Sequence, residues 1–188
     1  MKQNLTGKIL VVIGIVFVCF AIVLYLHNET IARKAEMDAN NILQEIQSGG
    51  TTEVTKQGTV ISAGGRYYDG ILEIPSLQLV LPVFAEMNDE DLATAPCVYS
   101  GQAEEDDLVI AGHNYTVQFG KLDRLNQGDL ITYTNANHFV YTYTVSEIQI
   151  LEDTEVEEMI SSQYSLTLFT CDYSGNARIT VRCNKNTP

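Results

Sequence analysis

The chain has 188 residues, of which 45% are hydrophobic and 19% are charged, which is enough for one domain with an apolar core. Its formal net charge is −13 at pH 7, and the acidity lies after residue 66, where 19 Asp and Glu oppose 5 Lys and Arg. A surface of that sign repels phosphate backbones, so we expect no nucleic acid partner.

An apolar segment is the first predicted element. Residues 9–26 carry no charge, and a helix of that length spans roughly 27 Å, enough to cross a bilayer. The run exceeds the core of a cleaved signal peptide, and bulky residues follow it where small ones would mark a cleavage site. We therefore predict a cytoplasmic N-terminus over residues 1–8 and an uncleaved transmembrane anchor over 9–26. Lys2 and Lys8 favour this orientation, which places the rest of the chain outside the cell.

A stalk and a tether are predicted next, over residues 27–66. Residues 28–47 place apolar side chains at three- and four-residue steps, the pattern of an amphipathic helix. Ser48-Gly49-Gly50 ends this pattern, and residues 51–65 are polar and dotted with glycine, which favours a flexible tether. The folded outer domain is then expected to occupy residues 67–188.

The outer domain is predicted to be mostly β. From residue 67 onward, β-branched and aromatic runs are separated by turn residues, as in a series of short strands. The predicted strands are 70–74, 77–83, 107–111, 129–134, 139–151, 166–171 and 178–183. Three shorter segments have helical character: 90–93, 122–125 and 155–161. This content fits a single β-barrel with short helices.

The last two predicted strands are joined by Ser174-Gly175-Asn176, which is typical of a β-hairpin. A two-residue turn at Ser174-Gly175 places Cys171 directly opposite Arg178, with Cβ atoms about 5 Å apart. A turn one residue later makes the two residues diagonal neighbours at roughly 7 to 8 Å. A three-residue loop would instead place them on opposite faces unless a bulge intervened. Two of the three registers therefore bring the thiol and the guanidinium together.

Cys171 and Arg178 together have the chemistry of acyl transfer. A guanidinium beside a thiol favours the nucleophilic thiolate, and its N–H donors can stabilise the oxyanion that forms when the thiolate attacks a carbonyl. The residues alone leave open the alternative that Cys171 is a small buried hydrophobe and Arg178 a solvated charge on a strand.

Transfer of an acyl group from one amine to another also needs a residue that protonates the leaving amine. The chain offers three histidines for this role. His27 lies at the edge of the apolar segment, and His138 lies in a polar cluster at the predicted tip of a hairpin. His113 ends a predicted strand and opens a loop, a position where functional residues are common. It is therefore the candidate acid and base, and the alternative is a structural histidine.

The sequence predicts neither a metal nor a cofactor. The cysteines at 19, 97, 171 and 183 lack the spacing of a zinc site. Acidic clusters at 104–107 and 152–158 lack the spacing of an EF-hand and are interpreted as solvated surface. Cys97 is predicted in a loop, and Cys183 faces the core in the first hairpin register. Both are interpreted as structural or incidental rather than reactive. The sequence leaves one disulfide among the outer cysteines open.

These segments, together and in this order, resemble the sortase family. In that family a Thr-Leu-x-Thr-Cys strand carries the nucleophile, an arginine lies on the next strand, and a Gly-His at a strand end supplies the histidine. The corresponding residues here are Thr167-Leu168-Phe169-Thr170-Cys171, Arg178 and Gly112-His113. Residues 70–75 also resemble the family's opening strand, and the resemblance covers residues 67–183.

The resemblance implies an eight-stranded β-barrel on the outer face of a Gram-positive-type membrane. It implies a transpeptidase that cleaves an LPXTG-like sorting signal on secreted proteins, with Cys171 forming a thioester. His113 would protonate the leaving amine and Arg178 would hold the oxyanion. The acceptor would be an amine of a cell-wall precursor or of a pilin lysine. The likeness is to classes B and D, and the subclass stays open.

Two other functions remain possible at the level of the sequence. The chain could be a different cysteine transpeptidase or peptidase that uses the same thiol and histidine. It could also be a non-catalytic β-domain on a stalk whose acidic face binds a cationic surface partner. The second alternative predicts that His113, Cys171 and Arg178 do not converge in space.

Overall fold

The computed structural model describes residues 3–55, 58–160, 163–172 and 174–186. The chain forms two units, Met1–Lys34 and Ala35–Pro188. Helix α1 (Gln3–Gly49) begins in the first unit. The apolar side chains of residues 9–26 are exposed there, and the helix is long and apolar enough to cross a membrane. The expected long apolar helix is therefore present.

The second unit contains the end of α1 and ten strands. These are β1 (Thr51–Thr55), β2 (Gly58–Ala63), β3 (Arg66–Ile74), β4 (Leu79–Phe84), β5 (Cys97–Ser100), β6 (Leu108–Ala111), β7 (Leu130–Asn135), β8 (Val140–Glu152), β9 (Leu166–Cys171) and β10 (Ala177–Lys185). Two short helices, α2 (Asp89–Thr94) and α3 (Val156–Ile160), and two 3₁₀ turns, Pro75–Leu77 and Leu122–Arg124, connect them.

Eight of the strands close into a barrel. Their order is β3-β4-β5-β6-β9-β10-β8-β7, and β7 also pairs with β3, which completes the ring. The pairs β4–β5 and β6–β9 are parallel, whereas the other pairs are antiparallel. The predicted mostly β, eight-stranded barrel with short helices is confirmed. Its interior is filled by alternate side chains of the strands, including Leu72, Val83, Ile110, Leu168 and Val181, each fully buried.

The prediction of a flexible tether over residues 51–65 is wrong. Most of this segment forms the antiparallel hairpin β1–β2, and β2 pairs with β3, so the sheet begins before residue 67. Ile61 and Ala63 are buried against Tyr68 and Phe84 in a second apolar cluster. Only a few apolar residues of β2 make this contact, which is why the polar composition concealed the strand.

The amphipathic pattern of residues 28–47 is helical, as predicted, and its apolar stripe has a packing partner in the second unit. Ala35, Ala39 and Leu43 are buried, and Ile42 and Ile46 pack against the cluster that contains Tyr68. From Ala35 onward, α1 is therefore part of the folded unit rather than a free stalk.

Strand β5 is an addition to the predicted elements, because Cys97 was expected in a loop. The strand has four residues, too few for its alternation to be recognised. It is held by antiparallel pairing with β6 and a single parallel pair to β4, Phe84 with Cys97. All four cysteines are free thiols, so the disulfide that the sequence left open is not formed.

Candidate active site

The β9–β10 hairpin has the register that a turn at Ser174-Gly175 predicts. Cys171 pairs with Arg178, Leu168 with Val181, and Leu166 with Cys183. Asp172 fixes the turn because its carboxylate accepts hydrogen bonds from the Ser174 hydroxyl and the Ala177 backbone N–H. The thiol at the end of β9 and the guanidinium at the start of β10 are therefore direct cross-strand neighbours.

His113 reaches the same place from the other side of β9. Strands β6 and β9 are parallel, and Ala111 pairs with Phe169. The Gly112 backbone N–H donates to the Phe169 carbonyl at 3.0 Å, so the alignment continues one residue past β6. The same offset sets His113 beside Cys171. Since neighbouring strands lie about 4.8 Å apart, the order β6-β9-β10 places the thiol between the imidazole and the guanidinium.

A cavity of about 240 Å³ contains all three residues in its lining. His113, Cys171 and Arg178 lie where β6 and β9 end and β10 begins. Helices α2 and α3 supply other walls, and Tyr99 and Phe169 contribute aromatic surface with their rings edge to face at 5.2 Å. The further lining residues are Met87, Leu92, Ala111, Gly112, Glu152, Asp153, Glu155, Val156, Met159 and Thr170. The sequence-predicted residues thus converge in one cleft that also offers apolar surface.

The loop after β6 holds His113 in place. Its backbone N–H donates to the Gln118 side chain at 3.1 Å, and its carbonyl accepts from the Phe119 N–H at 3.0 Å. The imidazole stacks on the ring of Tyr115, with centroids 4.7 Å apart and planes 19° apart. Gly120 is required here, since a Cβ would lie 2.3 Å from the Asn114 carbonyl oxygen.

Partial burial lowers the pKa of His113 below its ordinary value of 6.5, and the nearby carboxylate of Asp89 offsets part of that effect. At neutral pH the resting imidazole is therefore mostly neutral and able to accept a proton. Below pH 6.5, His113 binds protons more readily in the unfolded chain than in the folded one. Its protonation therefore lowers the free energy of unfolding as the pH falls below 6.5.

We expect the His113 resonance of the ¹³C-histidine-labelled chain to titrate with a midpoint below 6.5. The signal is assigned by its absence from the spectrum of His113→Gln. An NMR titration of the full chain in detergent measures the midpoint directly. A midpoint at or above 6.5 would show that the cleft does not desolvate the imidazole.

The guanidinium of Arg178 is available to a ligand. Its Nη1 donates to the carbonyls of Gly175 and Ala177, both at 3.2 Å. Its Nε and Nη2 donors make no hydrogen bond within the described part of the chain. Arg182, four residues further along β10 and on the same face, is buried, and its Nε, Nη1 and Nη2 atoms all donate to other acceptors. Of these two arginines, only Arg178 has donors left for an oxyanion in the cleft.

Cys171 differs from the other two cysteines of the second unit in its exposure. Its residue is exposed at the cleft, whereas Cys97 and Cys183 are fully buried. Burial raises the pKa of both buried thiols to about 12, which keeps them protonated and unreactive. The burial of Cys183 confirms its predicted direction into the core. His138 occupies the β7–β8 turn in a left-handed conformation (φ 62°) and is exposed, as expected for a hairpin tip.

Sequence reasoning did not identify the walls of the cleft. Helices α2 and α3 were anticipated at 90–93 and 155–161, but nothing in the pattern indicated that Leu92, Val156 and Met159 line the same cavity. The sequence indicated no role for Thr170 beyond its place in the strand that carries Cys171. Its side chain lines the cleft with a buried hydroxyl that has no hydrogen-bond partner in the described ranges.

Comparisons with known proteins agree on one family. A family model described as "Sortase domain" matches residues 72–186. Sortase A of Listeria monocytogenes is 29% identical over 153 residues, covering 76% of this chain and 65% of that protein. Sortase D of Bacillus subtilis is 30% identical over 118 residues, covering 57% of this chain and 58% of that protein. The chain therefore spans less than two thirds of the length of either curated relative.

Solved structures with a similar fold agree with this result. The crystal structure of sortase C-3 from Streptococcus pneumoniae is similar with a TM-score of 0.58 at 23% identity, covering 86% of this chain and 85% of that one. This likeness concerns the fold, whereas the match to the sortase domain extends over more than half of the chain and includes His113, Cys171 and Arg178. The chain therefore belongs to the sortase family.

Proposed function

We propose that this protein is a membrane-anchored cysteine transpeptidase that cleaves an LPXTG-like sorting signal and transfers the cleaved protein to an amine acceptor of cell wall or pilus. The observation that carries the proposal is the position of the exposed Cys171 thiol. It lies between His113 and Arg178 on adjacent strands, at the end of one cleft.

In the first half of the reaction, the neutral His113 takes the proton of the Cys171 thiol. Sγ attacks the carbonyl carbon of the threonine in the signal, and the carbonyl electron pair moves onto oxygen. Donors of Arg178 stabilise this oxyanion. When the intermediate collapses, the C–N bond breaks and His113 gives a proton to the departing amine. The product is a thioester between Cys171 and the threonine.

In the second half, an acceptor amine attacks the thioester carbonyl, and the neutral His113 takes its proton. Arg178 stabilises the second oxyanion as it did the first. The Cys171 sulfur then leaves and takes that proton from His113, and a new amide bond joins the transferred protein to the acceptor. In each half His113 thus acts first as base and then as acid, which suits an imidazole that is mostly neutral at rest.

The cleft also has the composition expected for a peptide substrate. Its walls combine apolar side chains with a few polar groups near the reacting residues, as ligand sites usually do. Leu92 of α2 and Val156 and Met159 of α3 offer surface for an apolar residue of the signal. The available donors of Arg178 beside Cys171 would then orient the carbonyl of the scissile bond.

The apolar helix supports an extracellular placement of this activity. It is long enough to anchor the chain as a single-pass protein, and Lys2 and Lys8 favour a cytoplasmic N-terminus. The catalytic domain would then lie outside a Gram-positive-type membrane, where secreted proteins with a sorting signal emerge. The convergence of the three residues also argues against a non-catalytic binding domain, which required them to lie apart.

The proposal is tested with the full chain in detergent, a panel of LPXTG-type and NPXTN-type peptides, and hydroxylamine as a surrogate amine. We expect a threonine hydroxamate, detected by mass spectrometry, from at least one peptide. A free carboxylate even at high hydroxylamine would instead identify a hydrolytic cysteine peptidase. The absence of any cleavage across the panel would contradict the proposed specificity for sorting signals.

A further inference from the structure

Arg182 is the most deeply buried charge in the described part of the chain, with 1% of its surface exposed. Its guanidinium donates to the carbonyls of Glu158 at 2.7 Å and Met159 at 2.9 Å, and to the Thr167 hydroxyl at 3.0 Å. Its Nε donates to the Gln149 side chain at 3.1 Å, and the group lies 5.4 Å from the centre of the Tyr164 ring.

These partners are all neutral, so no carboxylate in hydrogen-bond contact compensates the buried charge. Burial lowers the pKa of Arg182, and the more distant carboxylates of Glu158 and Glu147 oppose that shift. Retaining an arginine here costs desolvation energy that four hydrogen bonds and one aromatic face must offset. The geometry uses the planar fork of a guanidinium, which a lysine cannot reproduce.

Two of the four acceptors belong to the last turn of α3. That helix has five residues and could not persist alone, because helix nucleation is unfavourable over so short a length. A cation that bonds its final carbonyls both satisfies them and complements the helix dipole. Arg182 therefore ties α3 to the sheet, and the Thr180 hydroxyl adds a contact to the Met159 sulfur at 3.7 Å.

Helix α3 is at the same time a wall of the cleft. Val156 and Met159 line the cavity that contains Cys171, and Glu155 precedes them along its edge. Arg182 itself is absent from that lining. We therefore expect it to act on the substrate through the helix that it holds.

We propose that Arg182 is a positioning residue that holds α3 as the apolar wall of the peptide cleft and thereby sets the affinity for the sorting signal. This inference rests on the proposed transpeptidase function. The two arginines of β10 then have different roles. Arg178 stabilises the oxyanion, and Arg182 holds α3 in position as a wall of the cleft.

The test compares Arg182→Met and Arg182→Lys with Lys185→Met in the full chain in detergent. Lys185 is a matched control because it lies on the same strand, contacts the Tyr141 ring and an acid, and does not line the cleft. We expect Arg182→Met to raise KM for the peptide about tenfold while kcat per titrated Cys171 changes by less than about twofold. Lys185→Met should change neither.

Two outcomes would overturn the proposal. One is an unchanged KM with a reduced kcat, which would place Arg182 in the chemical step or in folding alone. The other is an equal rise of KM in Lys185→Met, which would indicate a general loosening of the barrel. Arg182→Lys keeps the charge and fills most of the volume, so it carries the test if Arg182→Met does not fold.

A second readout does not depend on turnover. Hydrogen–deuterium exchange of the α3 amides, residues 156–160, should accelerate in both Arg182 variants and stay unchanged in Lys185→Met. If the wild-type chain cleaves no peptide, the proposed function fails, but faster exchange would still show that Arg182 fixes the wall. Unchanged exchange in Arg182→Met would contradict the positioning role whatever the activity.

Discussion

Replacing Cys171 by alanine is expected to abolish formation of the hydroxamate, with a loss of at least about 10⁴-fold in kcat/KM. The thiolate is the only group in the proposed reaction that forms a covalent bond to the substrate, so no neighbour can substitute for it. The measurement is product formation from the best peptide of the panel, with hydroxylamine as acceptor.

Cys97→Ala and Cys183→Ala are the controls for this variant. Both thiols are buried with a pKa of about 12, so removing either should leave turnover per folded molecule unchanged. Cys183→Ala removes a side chain from the core and will lower the melting temperature, which is why activity is expressed per folded molecule. If Cys171→Ala retained activity, the nucleophile would have to be sought elsewhere.

Replacing Arg178 by glutamine should lower kcat by about 10² to 10³-fold, the usual effect of removing an oxyanion donor. KM for the peptide should change little, because the oxyanion exists only in the transition state and the intermediate. Arg178→Lys should recover only part of the rate, since an ammonium group lacks the second fixed donor of the guanidinium. Steady-state kinetics on all three proteins measures both constants.

A rise in KM at constant kcat in Arg178→Gln would instead assign this residue to substrate binding. That pattern is the one expected of Arg182→Met, so the two arginines of β10 serve as controls for each other. They lie on the same face of one strand and differ in what they contact: Arg178 has free donors in the cleft, and Arg182 is bonded to α3.

The pairing of Cys171 with Arg178 was predictable because it depends on local rules. The turn at Ser174-Gly175 sets the hairpin register, and strict alternation then determines that Cys171 faces Arg178. The placement of His113 was accessible only through the family resemblance, since nothing local to the sequence shows that β6 and β9 are parallel neighbours. That pairing is set by the closure of the whole barrel.

The features that escaped prediction depend on tertiary contacts made by few residues. The β1–β2 hairpin has the composition of a tether because only three apolar side chains among its described residues are buried: Val60, Ile61 and Ala63. The hairpin register also sets Arg182 opposite Thr167, but the sequence pattern gives no sign that α3 covers this face of the sheet. A charged residue on a strand is usually solvated, and only the packing of a later segment reverses that expectation.

In the proposed reaction Cys171 carries the acyl group of the cleaved signal. Mass spectrometry can show directly which residue holds that group. The full chain is mixed with a cleavable peptide in the absence of an added amine, quenched in acid, digested and mapped by mass spectrometry. We expect a peptide-derived mass increase on the fragment that contains Cys171, and this increase should disappear when hydroxylamine is added. An adduct on another residue, or cleavage with no hydroxylamine-sensitive adduct on Cys171, would contradict it.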